Sequence, residues 1–232
     1  MRKIYKKYEG FSLVEMLLTI AILGIVTLLV ATTLTTLIKV SLISNSKNQA
    51  RNDVNFIMEL MNRSLGNTNV SDITLYNSKE ARIFDRESQM VVDSQPGSIA
   101  GIYQDPTLQE AMPSNEIHVR SYGYNVWTCI GYFLDEEGQE GYLVKTSVYE
   151  MDDHSECFNS DRDGAYVSVL HNYEVDVKDF SIEYLVIGDD GDNMFVVDTV
   201  VEPKNWPVGF NVPVNREITR QITVSSQGLT WY

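Results

Sequence analysis

The sequence predicts an α+β fold, a long N-terminal helix packed on a C-terminal antiparallel β-sheet domain. Three observations lead there. From Phe11 to Ile38 the only ionisable side chain is Glu15. From Lys39 to Leu65 no helix breaker interrupts a stripe of apolar residues at helical spacing. Beyond residue 67, short runs rich in β-branched and aromatic residues alternate with polar turns.

The apolar run comes first. As a helix, residues 11–38 rise about 42 Å, ample for a hydrocarbon core of about 30 Å. Ahead of them Arg2, Lys3, Lys6 and Lys7 stand against a single acid, Glu9. That bias keeps the leader on the cytoplasmic side of the plasma (inner) membrane and sends the remainder outside. A secretory signal would carry an apolar region of about 7–15 residues and a small-residue cleavage site. Here the run is about twice as long and no Ala-x-Ala follows, so the segment is expected to stay. The expected organisation is a leader over 1–10, a membrane-spanning helix over 11–38, its amphipathic continuation over 39–66 and an extracytoplasmic β-rich domain over 67–232.

Glu15 is the anomaly in this helix. A carboxylate in hydrocarbon costs on the order of 2.5–3.5 kcal/mol on insertion scales unless it finds a partner. Were the chain cut after Gly10, the new α-amine of Phe11 would supply a cation at the same depth in a neighbouring copy, and the acid would become a register device for assembly.

At Gly10, Phe11 and Glu15, set between a basic leader and a long apolar run, the sequence resembles the type IV pilin and pseudopilin superfamily. The resemblance covers about 20 residues. It implies a pilin-like fold, cleavage after Gly10 by a prepilin peptidase, N-methylation of Phe11, and assembly with other subunits on a pilus platform through the N-terminal helices. Pilins often carry a helix-bending proline midway along this segment. This chain has none there and offers only Gly24 as a weak point.

Past the apolar run, Val40, Ile43, Ala50, Val54, Ile57, Met58, Met61 and Leu65 recur largely at spacings of three, four and seven. They form a stripe that should pack under a sheet. Gly66-Asn67 supplies the helix stop. Ile73–Tyr76 and Ile83–Phe84 read as short strands. Glu116–Leu134 and Gly141–Tyr149 flank the acidic turn Asp135–Glu140 as a hairpin. Val175 and Val177, then Phe180, Ile182 and Tyr184, alternate with polar residues on either side of Lys178-Asp179. Met194–Val201 and Glu217–Ser225 complete an antiparallel group.

Charge narrows the partners. The formal net charge is −14, and the leader contributes +3 of it, so a processed chain would carry about −17. Such a chain has no source for the phosphate-neutralising attraction that dominates nucleic-acid affinity, and no direct nucleic-acid binding is expected. Cys129 and Cys157 both fall in the part expected outside, where disulfides persist, and are expected to be bonded. Closing that loop would contribute roughly 3–4 kcal/mol in the chain-entropy view. A zinc reading joining Cys129 with His154-x-x-Cys157 lacks a fourth ligand.

Two acidic clusters are the calcium candidates: Asp161-x-Asp163-Gly164, and Asp189-Asp190-Gly191-Asp192-Asn193. Neither completes an EF-hand loop, and both read as solvated turns without a bound ion. No cofactor and no catalysis are expected. His118, His154 and His171 sit in no nucleophile-base or ligand spacing, and no phosphate-cradling glycine loop occurs. Trp127, Trp206, Trp231 and Tyr232 could line a ligand surface or fill the core.

Residues 177–184, the acidic turn after them and the late Val212-Pro213-Val214 resemble the C-terminal half of J-type minor pseudopilins and W-type minor pilins. That resemblance spans about 50 residues and implies a low-abundance subunit at or near the fibre tip. The expected function is a minor type IV pilin on the cell surface. Alternatives are a type II secretion pseudopilin, a tip adhesin and an uncleaved membrane-anchored module.

Overall fold

The computed structural model describes residues 10–93, 102–104, 113–120, 126–149, 157–158, 167–187, 192–206 and 215–226. The chain divides into two compact units, Met1–Asn45 and Ser46–Tyr232. One helix, α1 (Leu13–Gly66), runs through both without interruption.

Within the first unit the apolar side chains of α1, among them Leu17, Ile25, Leu29 and Leu37, are exposed. Its threonine hydroxyls are satisfied internally. Thr27 Oγ1 donates to Leu23 O (2.5 Å) and Thr36 Oγ1 to Thr32 O (2.9 Å), and Thr19, Thr32, Thr33 and Thr35 do likewise three or four residues back. A hydroxyl folded onto its own helix needs no water, which suits a helix surrounded by hydrocarbon.

In the second unit α1 buries Ala50, Val54, Ile57, Met58, Met61 and Leu65. Burial of the stripe therefore starts at Ala50, while Val40 at its head is exposed. The helix ends at Gly66, and Thr68 Oγ1 caps the last turn on Ser64 O (2.7 Å). A single 3-10 turn over Val70–Asp72 leads into the strands.

Eight strands form the first sheet: β1 (Ile73–Asn77), β2 (Arg82–Asp85), β3 (Met90–Asp93), β4 (Ile102–Gln104), β5 (Glu116–Arg120), β6 (Val126–Leu134), β7 (Gly141–Tyr149) and β8 (Ser168–Val169). Antiparallel pairing runs β4-β1-β5-β6-β7-β8. The hairpin β2-β3 joins through one parallel pairing, Ile83 to Leu134. The stretch read as one strand from Glu116 to Leu134 is thus two paired strands. Gly123 was the sequence signal for that break.

The β6-β7 hairpin closes as expected, with Leu134 opposite Gly141. Asp135 Oδ1 accepts from the Gln139 and Glu140 amides (2.8 and 3.2 Å), and Gly138 takes φ +67°, where a β-carbon would be strained. A second, three-stranded antiparallel sheet has the order β11-β10-β9, from β9 (Val175–Ile187), β10 (Asp192–Pro203) and β11 (Ile218–Ser225).

One core gathers the helix stripe, one face of the first sheet (Leu75, Ile117, Val119, Ile130, Tyr132, Leu143) and the inner face of the second (Val177, Phe180, Ile182, Phe195, Val197, Val201). A smaller core covers the opposite face of the first sheet: Phe84, Trp127, Cys129, Phe133, Tyr142, Val144, Phe158 and neighbours. The first sheet is therefore buried on both faces, and polar residues that alternate outward from the first core land in the second.

The two sheets meet at close range. Ser114 and Ile182 exchange backbone bonds of 2.9 and 2.8 Å, Tyr132 Oη donates to Lys178 O (3.1 Å), and the Gly141 amide donates to Asp176 Oδ1 (3.0 Å). At Gly141 a β-carbon would lie 2.0 Å from Val177 O, so no side chain fits there.

Candidate functional site

The N-terminal site is built by the first turn of α1. The Glu15 amide donates to Ser12 Oγ (3.2 Å), and the Glu15 carboxylate accepts from the Ser12 amide (3.4 Å). Ser12-x-x-Glu15 is a capping box, in which two orphan amides of the helix start are satisfied reciprocally. This was readable in the sequence and was missed there, because the acid was weighed only as a cost in hydrocarbon. The helix N-terminus also favours a negative charge. Glu15 is thus held by its own helix before any neighbour arrives. Gly10 and Phe11 precede the cap, and Phe11 is 76% exposed. At Gly10 an added β-carbon would meet nothing within 4 Å, so any demand for glycine there comes from outside the folded chain.

A second constellation lies on the smaller core. Cys129 and Cys157 are joined by a disulfide with Cα atoms 6.0 Å apart, and both are buried. His118 stands directly across the β5-β6 pair from Cys129, hence on the same face of the sheet. His118 Nε2 lies 2.7 Å from Glu116 Oε1, and Arg82 Nη1 donates to the same oxygen at 2.6 Å. Ser78 Oγ donates to Glu116 Oε2, and the Ser78 amide to Asn115 Oδ1 (2.7 Å). The Tyr76 ring lies 4.5 Å from the imidazole, and the Phe158 ring lies 5.8 Å from Arg82 Cζ. Burial pushes the Glu116 carboxyl up, but His118, Arg82 and Ser78 together outweigh it and hold the carboxyl below its ordinary value.

Of the described histidines, His118 and His171, it is His118 that meets the cysteines; His154, the residue the zinc reading used, lies outside the described residues. A ring nitrogen of His118 and the two sulfurs all lie within 4.8 Å of one another. His171 is elsewhere, with Nδ1 3.0 Å from Asn172 O and its ring 5.9 Å from that of Tyr142; burial lowers its pKa.

Asp161, Asp163, Asp189 and Asp190 lie outside the described residues, and Asp192 is described only as the backbone start of β10. Trp127 fills the smaller core. Trp206 is flanked by Lys47 Nζ and Arg216 Cζ, 5.7 and 5.5 Å from its ring centre. Trp231 and Tyr232 lie outside the described residues.

No curated protein and no solved structure matches this chain. Residues 5–31 match the family described as the Prokaryotic N-terminal methylation motif. The chain thus combines an α+β pilin-like fold with a membrane-capable apolar helix that carries the N-terminal signal of type IV pilins and pseudopilins.

Proposed function

We propose that this chain is a minor type IV pilin, a structural subunit processed by a prepilin peptidase and assembled at or near the tip of a pilus. The observation that carries the reading is the methylation motif over residues 5–31, laid on a helix whose apolar surface from Phe11 onward is exposed among the described residues of its own unit. Insertion stores the subunit in the membrane with its C-terminal domain outside. Cleavage after Gly10 frees the Phe11 amine. In the filament that amine meets Glu15 of an adjacent copy or relative, and apolar helices exchange lipid for one another.

The capping box fits this sequence of events. It keeps the Glu15 carboxylate satisfied in the monomer, while a full positive charge delivered by a neighbour offers a stronger partner than the Ser12 amide. The work of extrusion would come from a separate cytoplasmic ATPase. Size supports the minor role, since the β-rich domain over 67–232 is large for a main shaft subunit.

Intact-mass and N-terminal peptide spectrometry on protein from the native cell surface tests this. A chain beginning at N-methylated Phe11 supports the reading, and a chain still beginning at Met1 overturns it. Gly10→Ala should block maturation, whereas Glu15→Ala should leave cleavage intact and reduce incorporation. Recovery in sheared surface fibres would assign the subunit to a pilus; retention in the envelope, with secretion lost on deletion, would assign it to a type II secretion pseudopilus.

A further inference from the structure

The disulfide has a neighbour that a structural cross-link does not need. Cys129 and Cys157 share their pocket with an imidazole, and that imidazole is held by a carboxylate. We propose that, when the Cys129–Cys157 bond is reduced, His118, Cys129 and Cys157 bind a soft divalent cation of the zinc type. The inference is independent of the filament reading.

Four features carry it. The three donor atoms already lie within 4.8 Å of one another, close to the span that a tetrahedral centre bridges with bonds of about 2.0–2.3 Å. The donors are one imidazole and two sulfurs, the soft set that selects zinc over calcium or magnesium. Glu116 Oε1 sits 2.7 Å from Nε2 of His118, the outer-shell partner that fixes the ring of an imidazole ligating through Nδ1. The charges also close: two thiolates cancel the ion, and Arg82 cancels Glu116. Metal-bound and disulfide forms then place the same net charge in the buried pocket.

The fourth position would belong to water or to a small anion. Wherever the two thiols are kept reduced, the ion would tie β6 to residue 157 as the disulfide does when they are oxidised. A disulfide-carrying oxidant would exchange the two states. The Cys129–Cys157 bond forms, two electrons pass to the oxidant's disulfide, that disulfide takes up two protons as two thiols, and the ion leaves.

The test uses the full chain in detergent, reduced and stripped with a chelator, and then titrated with cobalt(II). One equivalent should give the intense visible bands of a tetrahedral centre and thiolate-to-cobalt absorption in the near ultraviolet, and zinc should displace it. Cys129→Ser and Cys157→Ser should each abolish the thiolate absorption. His118→Ala and Glu116→Gln should weaken binding by roughly 10–100-fold. If reduction unfolds the chain, cobalt should restore its β-sheet circular dichroism. A saturating titration without thiolate absorption, or binding unaffected by the serine variants, overturns the proposal.

Discussion

Arg82 places its guanidinium 2.6 Å from the Glu116 carboxylate with both side chains buried, so a full ion pair is enclosed between β-strands. Such a pair adds little net stability relative to well-packed apolar residues, but breaking it from one side leaves a charge stranded. Arg82→Met should therefore cost about 3–5 kcal/mol. Arg82→Met with Glu116→Gln should recover a substantial part of that loss. Denaturant unfolding of the full chain in detergent measures both, and additive losses would contradict the pairing.

Acid should weaken the fold in two steps. Burial lowers the pKa of His171, which is flanked by Asn172 O, Asp53, Lys204 and the Tyr142 ring, so the unfolded chain takes up a proton that the native chain refuses. Stability from this group is complete above its ordinary value of 6.5 and falls as pH drops below it. Glu116 behaves as a depressed carboxyl: its contribution is complete above the ordinary 4.5 and is lost as pH falls through its lower native value. His171→Gln should flatten the first step and leave the second. Melting temperatures recorded across that range would reveal a single step if the assignment is wrong.

Thr199 faces the larger core from β10 with its side chain buried, and its hydroxyl has no hydrogen-bond partner among the described residues. An unpaired buried hydroxyl costs about 1–3 kcal/mol, and valine has the same shape without it. Thr199→Val should stabilise the domain by about 1 kcal/mol or more. A destabilised variant would mean that the hydroxyl finds a partner beyond the described residues.

Gly141→Ala should be among the most damaging single changes. The added carbon would collide with Val177 O and with the Tyr132 ring, and the Gly141-to-Asp176 bond would part. We expect a loss of about 3 kcal/mol or more. Amide exchange should show opening centred where β7 meets β9, and unchanged protection there would refute the close approach.

The long strand β9 carries a bulge at the point where its apolar alternation changes phase. Val175 and Val177 are inward, then Phe180 and Ile182, so the parity switches across Lys178-Asp179. In the structure Val201 pairs with Val177 and Val200 with Asp179, leaving Lys178 as the extra residue. Deleting Lys178 would remove the bulge and leave Val175, Val177, Phe180 and Ile182 in one unbroken alternation on the core face. The second sheet should keep its amide protection while the Lys178 contacts to Asp176 and Glu202 are lost, and exchange that spreads through one half of β9 would refute the bulge assignment.

Local features were legible because their causes are local. The helix, its stop at Gly66 and the turn at Asp135–Glu140 each follow from spacing within a few residues. The order of β4, β1 and β5, by contrast, depends on pairing between distant segments, which no local pattern encodes. The same gap hid the second constellation. Glu116, His118 and Arg120 read as the solvent side of a strand whose core side is Ile117 and Val119. They face inward because Phe84, Phe158 and Trp127 build a further core over them. His118 meets Cys129 through cross-strand register, which no local spacing in the sequence marks.

The uninterrupted α1 answers to two juries. Residues such as Val54 and Met61 are fitted to this chain's own sheets and can change only when those sheets change with them. Residues such as Leu17 and Ile25 are exposed on the described surface of their own unit, so under the assembly reading their fitness is decided by lipid and by other subunits. Across related chains, covariation along this one helix should divide in the same way: within the chain from Ala50 onward, and between separate genes before Asn45.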